Sequence, residues 1–379
     1  MNHHTVRWHR ELSALGHTLS LLHLLEGNDS DVLPLPTVPV RLPSLRVPGF
    51  STARIWREAI ASTEPDVVYM QWVFARPSML AALGPAWPLV LTVMGSDVHQ
   101  SAASHESHAD RLWRTALLQR AGAITVPARP LAEVVGRYVP HLTQRVHVVP
   151  FGVDTSIFAP AAASNESRPF TIGHFKGDEP MYGRLELLRA VEPWFRQGRS
   201  VHLVFAGRSG PPPSPVRMWL KAHPHVAAHV TDHGTKGVDQ MADLYRSIDV
   251  YVLDSEQESF GVAAAEALAC EVPVVATRVG GIPTLVRSGD TGLLVDGGDP
   301  TGLRAALDDL DAHPRLRKSM GMRGRALVQD HFEMAQVARL MGRVIEETAR
   351  KRPHHGGVMA QLASAARTWA GMAPVQPSI

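Results

Sequence analysis

Glu258 and Glu266, separated by seven residues, stand on either side of Gly261 in the stretch from Asp249 to Pro300. Val250 to Leu253 is a short apolar run of β-forming residues and reads as a buried strand. Gly261 to Cys270 is Ala-rich and favours helix. Glu271 and Pro273 stop that helix, and Val272 to Ala276 reads as the next buried strand. Strand, loop, helix, strand is one turn of a doubly wound sheet, where ligands sit at the carboxyl ends of the strands. From Gly261 to Glu266 the helix rises about 7.5 Å and turns roughly 500°, so both glutamates can line one cleft at different depths. The N–H groups of Phe260, Gly261 and Val262 open the helix, a setting that favours phosphate. Gly261 has no side chain to hold an anion away. A ligand with a diol, a diphosphate and a further hydroxylated group suits such a site, which describes a nucleotide-sugar. Alone, the two glutamates would more commonly be a helix-start carboxylate and a surface ion-pair former.

The ordered string around them is more specific. Ser259-Phe260-Gly261, Glu266-Ala267-Leu268-Ala269-Cys270, Pro273-Val274-Val275-Ala276-Thr277 and Val279-Gly280-Gly281-Ile282-Pro283 follow one another. Together they resemble the donor-binding motif of retaining glycosyltransferases of the GT-B fold, the glycogen-synthase-like group 1 family (glycosyltransferase family 4). The resemblance covers about residues 4 to 350 and is densest from Val226 to Pro300. It implies an α/β fold of GT-B architecture, with two Rossmann-like domains and a cleft between them. It also implies transfer of a hexosyl group from a nucleoside diphosphate sugar to a glycan or glycolipid acceptor, with retention of anomeric configuration. Glu258 would be the catalytic carboxylate, holding hydroxyls of the sugar. Glu266 would bind the ribose, and Ser259, Phe260, Gly261 and Val262 would face the diphosphate. No cofactor or metal is implied beyond the donor substrate; Asp254 and Glu256 are only weak metal candidates.

The family usually grips the diphosphate with an Arg and then a Lys before a Gly. Here Gly173-His174-Phe175 stands where Gly-Arg-Leu is usual, and Tyr182-Gly183 where Lys-Gly is usual. Gly173 and His174 are therefore expected beside the donor, with Lys176 supplying the cation and Arg184 the runner-up. The bland alternative is that both are surface charges. Arg208, in Gly207-Arg208-Ser209-Gly210, is either another diphosphate ligand or part of a solvent loop. Asp97, after the strand Leu89 to Met94, either hydrogen-bonds an acceptor hydroxyl as a catalytic group or caps a helix. Many relatives place a His in this loop; Met94 occupies the nearest position, and His99 is not assigned that role.

The remaining elements position these residues. Helices are expected at Thr5 to Leu15, Arg54 to Thr63, Pro77 to Leu83, Arg111 to Ala121 and Leu131 to Tyr138. Strands are expected at Thr18 to His23, Val38 to Leu42, Asp66 to Gln71, Ala123 to Val126 and Val146 to Val149. The family's opening strand and Gly-rich loop are missing, so the expectation is either a start assigned too late or an N-terminal domain that lacks its first strand. Further on, strands are expected at Phe170 to Phe175, Val201 to Ala206 and Val226 to Val230. Helices are expected at Val216 to Ala222, Met241 to Ser247, Gly302 to Leu310, Pro314 to Gln329 and His331 to Arg350. Residues 1–160 then form an acceptor-side Rossmann-like domain and 168–330 the nucleotide-sugar domain. Residues 331–350 form a helix crossing back to the first domain, and 351–379 a tail. In that tail Val358, Leu362, Ala365, Trp369 and Met372 follow helical spacing and suit packing on protein more than on a membrane surface.

Composition bounds the rest. The chain has 379 residues, enough for two domains, with 45% hydrophobic and 20% charged residues. A net charge of +2 and the lack of a long basic run argue against a nucleic-acid partner. One cysteine excludes an internal disulfide framework and suits a reducing compartment. No run of 18 apolar residues and no apolar signal core occurs, which leads to the expectation of a cytoplasmic protein, with peripheral association at the inner membrane face compatible. The histidines, His3-His4 and His354-His355 included, lack metal-site spacing. Two rivals stand against glycosyl transfer: a catalytically weak nucleotide-sugar-binding or regulatory module, and a nucleotide-sugar epimerase on the same architecture.

Overall fold

The computed structural model describes residues 3–24, 37–40, 49–71, 84, 86–98, 107–161, 168–208, 210 and 214–351. The expected helix at 77–83, His99, Ser209 and the tail lie outside these residues. The chain divides into two compact units, Met1–Val149 with Ala338–Ile379, and Pro150–Val337. Residues 150–160 thus group with the second unit.

In the first unit the order is α1 (His3–Ala14), β1 (Leu21–Leu24), β2 (Thr37–Val40), α2 (Gly49–Ala61), β3 (Val68–Gln71), β4 (Leu89–Thr92), α3 (His108–Arg120), β5 (Ala123–Val126), α4 (Arg129–Tyr138) and β6 (Val146–Val148). Among the described residues β1 pairs only with β2, and the other four strands form a separate parallel sheet, β3-β4-β5-β6. Leu89, Leu91, Ile124 and Val126 alternate onto one face and build a core with Leu117, Leu118 and Val135. The helix α3 starts where the Ser107 side chain accepts from the Asp110 amide at 3.1 Å.

The second unit holds β7 (Phe170–His174), α5 (Arg184–Arg196), β8 (Val201–Phe205), α6 (Pro215–Ala222), α7 (Pro224–Ala227), β9 (Val230–Asp232), α8 (Val238–Arg246), β10 (Val250–Leu253), α9 (Val262–Ala269), β11 (Val274–Thr277), α10 (Ile282–Leu285), β12 (Gly292–Val295), α11 (Pro300–Ala312) and α12 (Pro314–His331). Its six strands are all parallel, in the order β12-β11-β10-β7-β8-β9. Sequence order reverses between β7 and β10, the place where such sheets open a crevice at their carboxyl ends. Every residue of β7, β10 and β11 is buried, as a parallel sheet covered on both faces requires. Ile172, Leu203, Val252 and Val275 meet Leu187, Leu188, Trp194, Leu303 and Leu307 in one core.

Two expectations are corrected. Val226 to Val230 is not one strand: Pro224 starts the short α7, where its missing N–H costs nothing, and the strand begins only at Val230. The long helix expected from His331 is broken, because Phe332 ends α12 and α13 (Met334–Ala349) starts anew. The helix α5 was not anticipated, since Pro193 and two flanking polar stretches mask its pattern; the proline is tolerated in the last turn.

Candidate functional site

The candidate site is built on the carboxyl ends of β7, β8 and β10 in the second unit. The chain leaves β7 through Phe175 and Lys176, and leaves β10 through Asp254 to Gly261. These two departures bring Lys176 and Glu258 together. The Lys176 Nζ lies 2.8 Å from Glu258 Oε2, with the side chains 22% and 12% exposed. The ammonium also stands 5.2 Å from the centre of the Tyr182 ring. Burial works to lower the Lys176 pKa, but the Glu258 carboxylate, aided by Tyr182 and Glu266, outweighs it and holds the pKa above its ordinary value. Lys176 is thus a charged, half-enclosed group, not a surface charge.

Glu266 sits on α9, one turn and a half from the helix start. Its Oε2 accepts the Tyr245 hydroxyl at 3.3 Å. Tyr245 packs against Phe175 at 4.9 Å and Tyr251 at 5.5 Å between ring centroids, a buried aromatic floor. Burial, with Glu266 beside it, keeps the Tyr245 phenol neutral well above its ordinary range. Tyr245 therefore serves as a hydrogen-bond donor that orients the glutamate.

The tip of α9 has no side-chain cap. Its first backbone acceptance from within the helix is Ala265 to Gly261 at 3.0 Å, and among the described residues no protein acceptor takes the amides of Gly261, Val262, Ala263 or Ala264. Val262 and Ala263 are partly open to solvent, as is Ser259. Phe260 is fully buried, edge-on to Phe151 at 5.9 Å and Phe332 at 5.4 Å, so only its backbone can serve a ligand. The reason for glycine at 261 differs from the expected one. Its φ is +98°, and a Cβ there would lie 2.5 Å from the Ile282 Cδ1, so its bare Cα faces the core rather than an anion.

Other expected donor contacts fall elsewhere. Gly173 and His174 are inside the sheet: a Cβ on Gly173 would meet Ile248 at 2.4 Å, and the His174 Nε2 bonds the Tyr182 carbonyl at 2.8 Å. Burial and then the Arg184 charge push the His174 pKa down to about 3, so the imidazole is neutral and donates to that carbonyl. It ties the Tyr182 turn to β7 instead of touching a donor. Arg208 is 82% exposed and pairs with Glu179 at 2.8 Å, as a surface charge does. Arg184, by contrast, is buried, and its guanidinium bonds the Lys176 and Ala206 carbonyls. In the first unit, Asp97 accepts the amides of Met94 at 3.1 Å and Gly95 at 2.8 Å, which makes it the anchor of its own loop.

Sequence reading missed Tyr182 as a ring partner for Lys176 and Tyr245 as the donor to Glu266, and it named Asp254 only as a weak metal candidate, not as an enclosed carboxyl. The last is 9% exposed, and burial, with Glu186 nearby, raises its carboxyl pKa to about 6. The signal for Arg184 was present: a cation in the first turn of a helix opposes the dipole and needs another reason to be there. Among the described residues no group of three or more His, Cys, Asp or Glu could hold a metal ion, so Asp254 and Glu256 find no further ligands there.

Comparison with known proteins places this arrangement. The sequence model described as "Glycosyltransferase Family 4" matches residues 1–157, and that described as "Glycosyl transferases group 1" matches 170–312. A D-inositol 3-phosphate glycosyltransferase of Xylanimonas cellulosilytica is 34% identical over 244 residues, covering 61% of this chain and 58% of its own. An N-acetyl-alpha-D-glucosaminyl L-malate synthase of Bacillus anthracis is 41% identical over 99 residues, 26% of each chain. The chain spans about half the length of the curated relatives it matches, 58% and 43% for two of them. Among solved structures, sucrose-phosphate synthase from Thermosynechococcus elongatus superposes with a TM-score of 0.74 at 22% identity, over 90% of this chain and 92% of that one. HepE from Anabaena, in complex with UDP and glucose, gives 0.65 at 17% identity, over 82% and 86%. The GT-B fold is common to these structures and this one, and the chain belongs to the group 1 glycosyltransferases of family 4.

Proposed function

We propose that this chain transfers a hexosyl group from a nucleoside diphosphate sugar to a glycan or glycolipid acceptor, with retention at the anomeric carbon. The observation that carries the reading is the Lys176–Glu258 pair, set beside an uncapped helix whose Glu266 also acts on Lys176. Donor cleavage loads negative charge onto the departing diphosphate. Lys176 and the N–H groups at the start of α9 are arranged to take up that charge, and holding the donor rigidly supplies the rest. Glu258 would hold sugar hydroxyls beside the reacting carbon, and Glu266 would accept the ribose hydroxyls with its orientation set by Tyr245. Arg208 has no part in this reading. Asp97 serves it only by holding its loop in the first unit.

The curated relatives carry the names of enzymes, a glycosyltransferase and a synthase, which disfavours a binding-only module. HepE was solved with UDP and glucose, so UDP and UDP-sugars are the first probes to try. No described helix is long and apolar enough to cross a membrane. A lipid-linked acceptor would then be met at the membrane surface, on the inner face where sugar nucleotides are made.

The test is calorimetry with UDP-, GDP- and ADP-sugars, followed by mass spectrometry of products formed with an acceptor extract. Glu258→Ala should abolish transfer while leaving the circular dichroism spectrum unchanged. Turnover at the wild-type rate in Glu258→Ala would sink the reading, as would a wild-type protein that binds none of these sugars.

A further inference from the structure

Arg184 is among the largest fully buried side chains of the protein, and its position is costly on three counts. It is the first residue of α5, where the helix presents its positive end. It is taken out of water, and burial lowers its pKa. The carboxylate nearest to it, Asp232 on β9, stands 3.5 Å away and is itself 42% exposed, a weak partner for a buried cation. What the guanidinium does hold is backbone. One nitrogen, Nη2, donates to the carbonyl of Lys176 and, at 2.9 Å, to that of Ala206. The guanidinium carbon lies 4.8 Å from the centre of the Phe205 ring. One side chain therefore ties together the chain leaving β7 and the chain leaving β8, with the end of β9 within reach of its other nitrogen.

We propose that Arg184 is a positioning residue for the donor site: it fixes the backbone of Lys176 so that the ammonium meets Glu258 and the incoming diphosphate. The inference rests on the reading of Lys176 as the diphosphate cation, though its first test does not need a ligand. Lys176 stands at the start of an irregular run to Pro180, between β7 and the next short helical turn. An ammonium on four methylenes samples many rotamers unless its stem is held. The local restraints on this stem are the Arg184 bond to its carbonyl, the Glu258 carboxylate and the Tyr182 ring. The close approach of Gly207 adds to them, since a Cβ there would lie 2.6 Å from the Lys176 oxygen. A guanidinium suits the task because Nη2 bonds the two carbonyls while Nη1, on the other arm of the planar fork, faces Asp232 at 3.5 Å, a spread that one ammonium nitrogen does not cover.

Two measurements test this. In the ligand-free protein, the rate of Lys176 acetylation by a soluble acylating reagent is followed by peptide mass spectrometry, with exposed Lys221 and Lys318 as internal standards. Arg184→Met should raise the Lys176 rate at least fivefold and leave the two standards unchanged, with Arg184→Lys in between. Calorimetry with UDP then closes a double-mutant cycle. Arg184→Met and Lys176→Ala should each weaken binding about tenfold, and the double variant should bind no worse than Lys176→Ala alone. Unchanged Lys176 acetylation in both Arg184 variants overturns the proposal, as does a double variant weakened by the product of the two single effects. If Arg184→Met fails to fold, Arg184→Lys carries both measurements. A wild-type protein that ignores UDP and other nucleoside diphosphates counts against the donor reading, while acetylation still judges Arg184.

Discussion

Asp254 shows how a residue's surroundings set its titration. It has no hydrogen-bond partner among the described residues, it is nearly enclosed, and Glu186 lies near enough to repel its charge. Its folded pKa, about 6, is above the unfolded value of 3.8. The neutral form is the one the fold prefers, so the stabilising contribution is full below the unfolded pKa. It is lost as pH rises through the folded pKa. Asp254→Asn should therefore raise stability at pH 7.5 by about 3 kcal/mol at most, and the gain should shrink to nothing below about pH 4. Thermal melts of both proteins across that range check it. At Lys176, against the pull of burial, the Glu258 carboxylate 2.8 Å away favours the charged form. Lys176→Met or Glu258→Gln alone strands a mostly enclosed partner and should cost about 3 kcal/mol, whereas the double substitution should recover much of the loss. Chemical denaturation of the three variants measures this. Both glutamates stood out only within the ordered string around them, from Ser259 to Pro283, which is local in the sequence. Tyr245 as the partner of Glu266, and Arg184 as a tether of backbone, were not legible, since their partners lie 21 and 8 residues or more away and meet only once the sheet is assembled.

Among the elements, α9 depends on glycine at its entrance and on the segment that follows β11. Gly280 has φ +48°, and a Cβ there would fall 1.8 Å from the Glu258 carbonyl, which also accepts the Gly281 amide at 3.0 Å. The turn after β11 thus sets the backbone of Glu258. Gly280→Ala should cost about 3 kcal/mol or more and weaken donor binding, because backbone at that distance cannot yield without moving Glu258. Gly298 is the matched control: its φ is +73°, but the space around it is open, so Gly298→Ala should cost only about 1 kcal/mol and leave binding alone. Most elements of the second unit could be read from apolar runs, since its central strands are buried on both faces, with β10 and β11 Val-rich. The reading failed at Val226, where an apolar residue beside Pro224 belongs to a helical turn, and at α5, where Pro193 conceals a helix that tertiary packing of Leu187, Leu188 and Trp194 maintains.

At the scale of the whole molecule, each unit has its own core, one on β3 to β6 and the other on the six-stranded sheet. Heat should therefore unfold the chain with a calorimetric enthalpy larger than the van't Hoff value, the mark of more than one cooperative block. A nucleotide held by the second unit at a hundredfold excess over its Kd should stabilise that block by about 2.7 kcal/mol and shift its transition selectively. Differential scanning calorimetry with and without UDP would show it. The family resemblance reached this division only approximately, because a sequence shows where a linker is polar but not which side residues 150–160 pack against. Cys270 is the single sulfhydryl of the chain, shielded at the end of the helix that carries Glu266, and its surroundings push its pKa up to about 12. It should ignore thiol reagents until that helix lets go. The rate at which dithionitrobenzoate colours the protein is thus a built-in clock for opening of the donor half, readable on the natural chain with no label added.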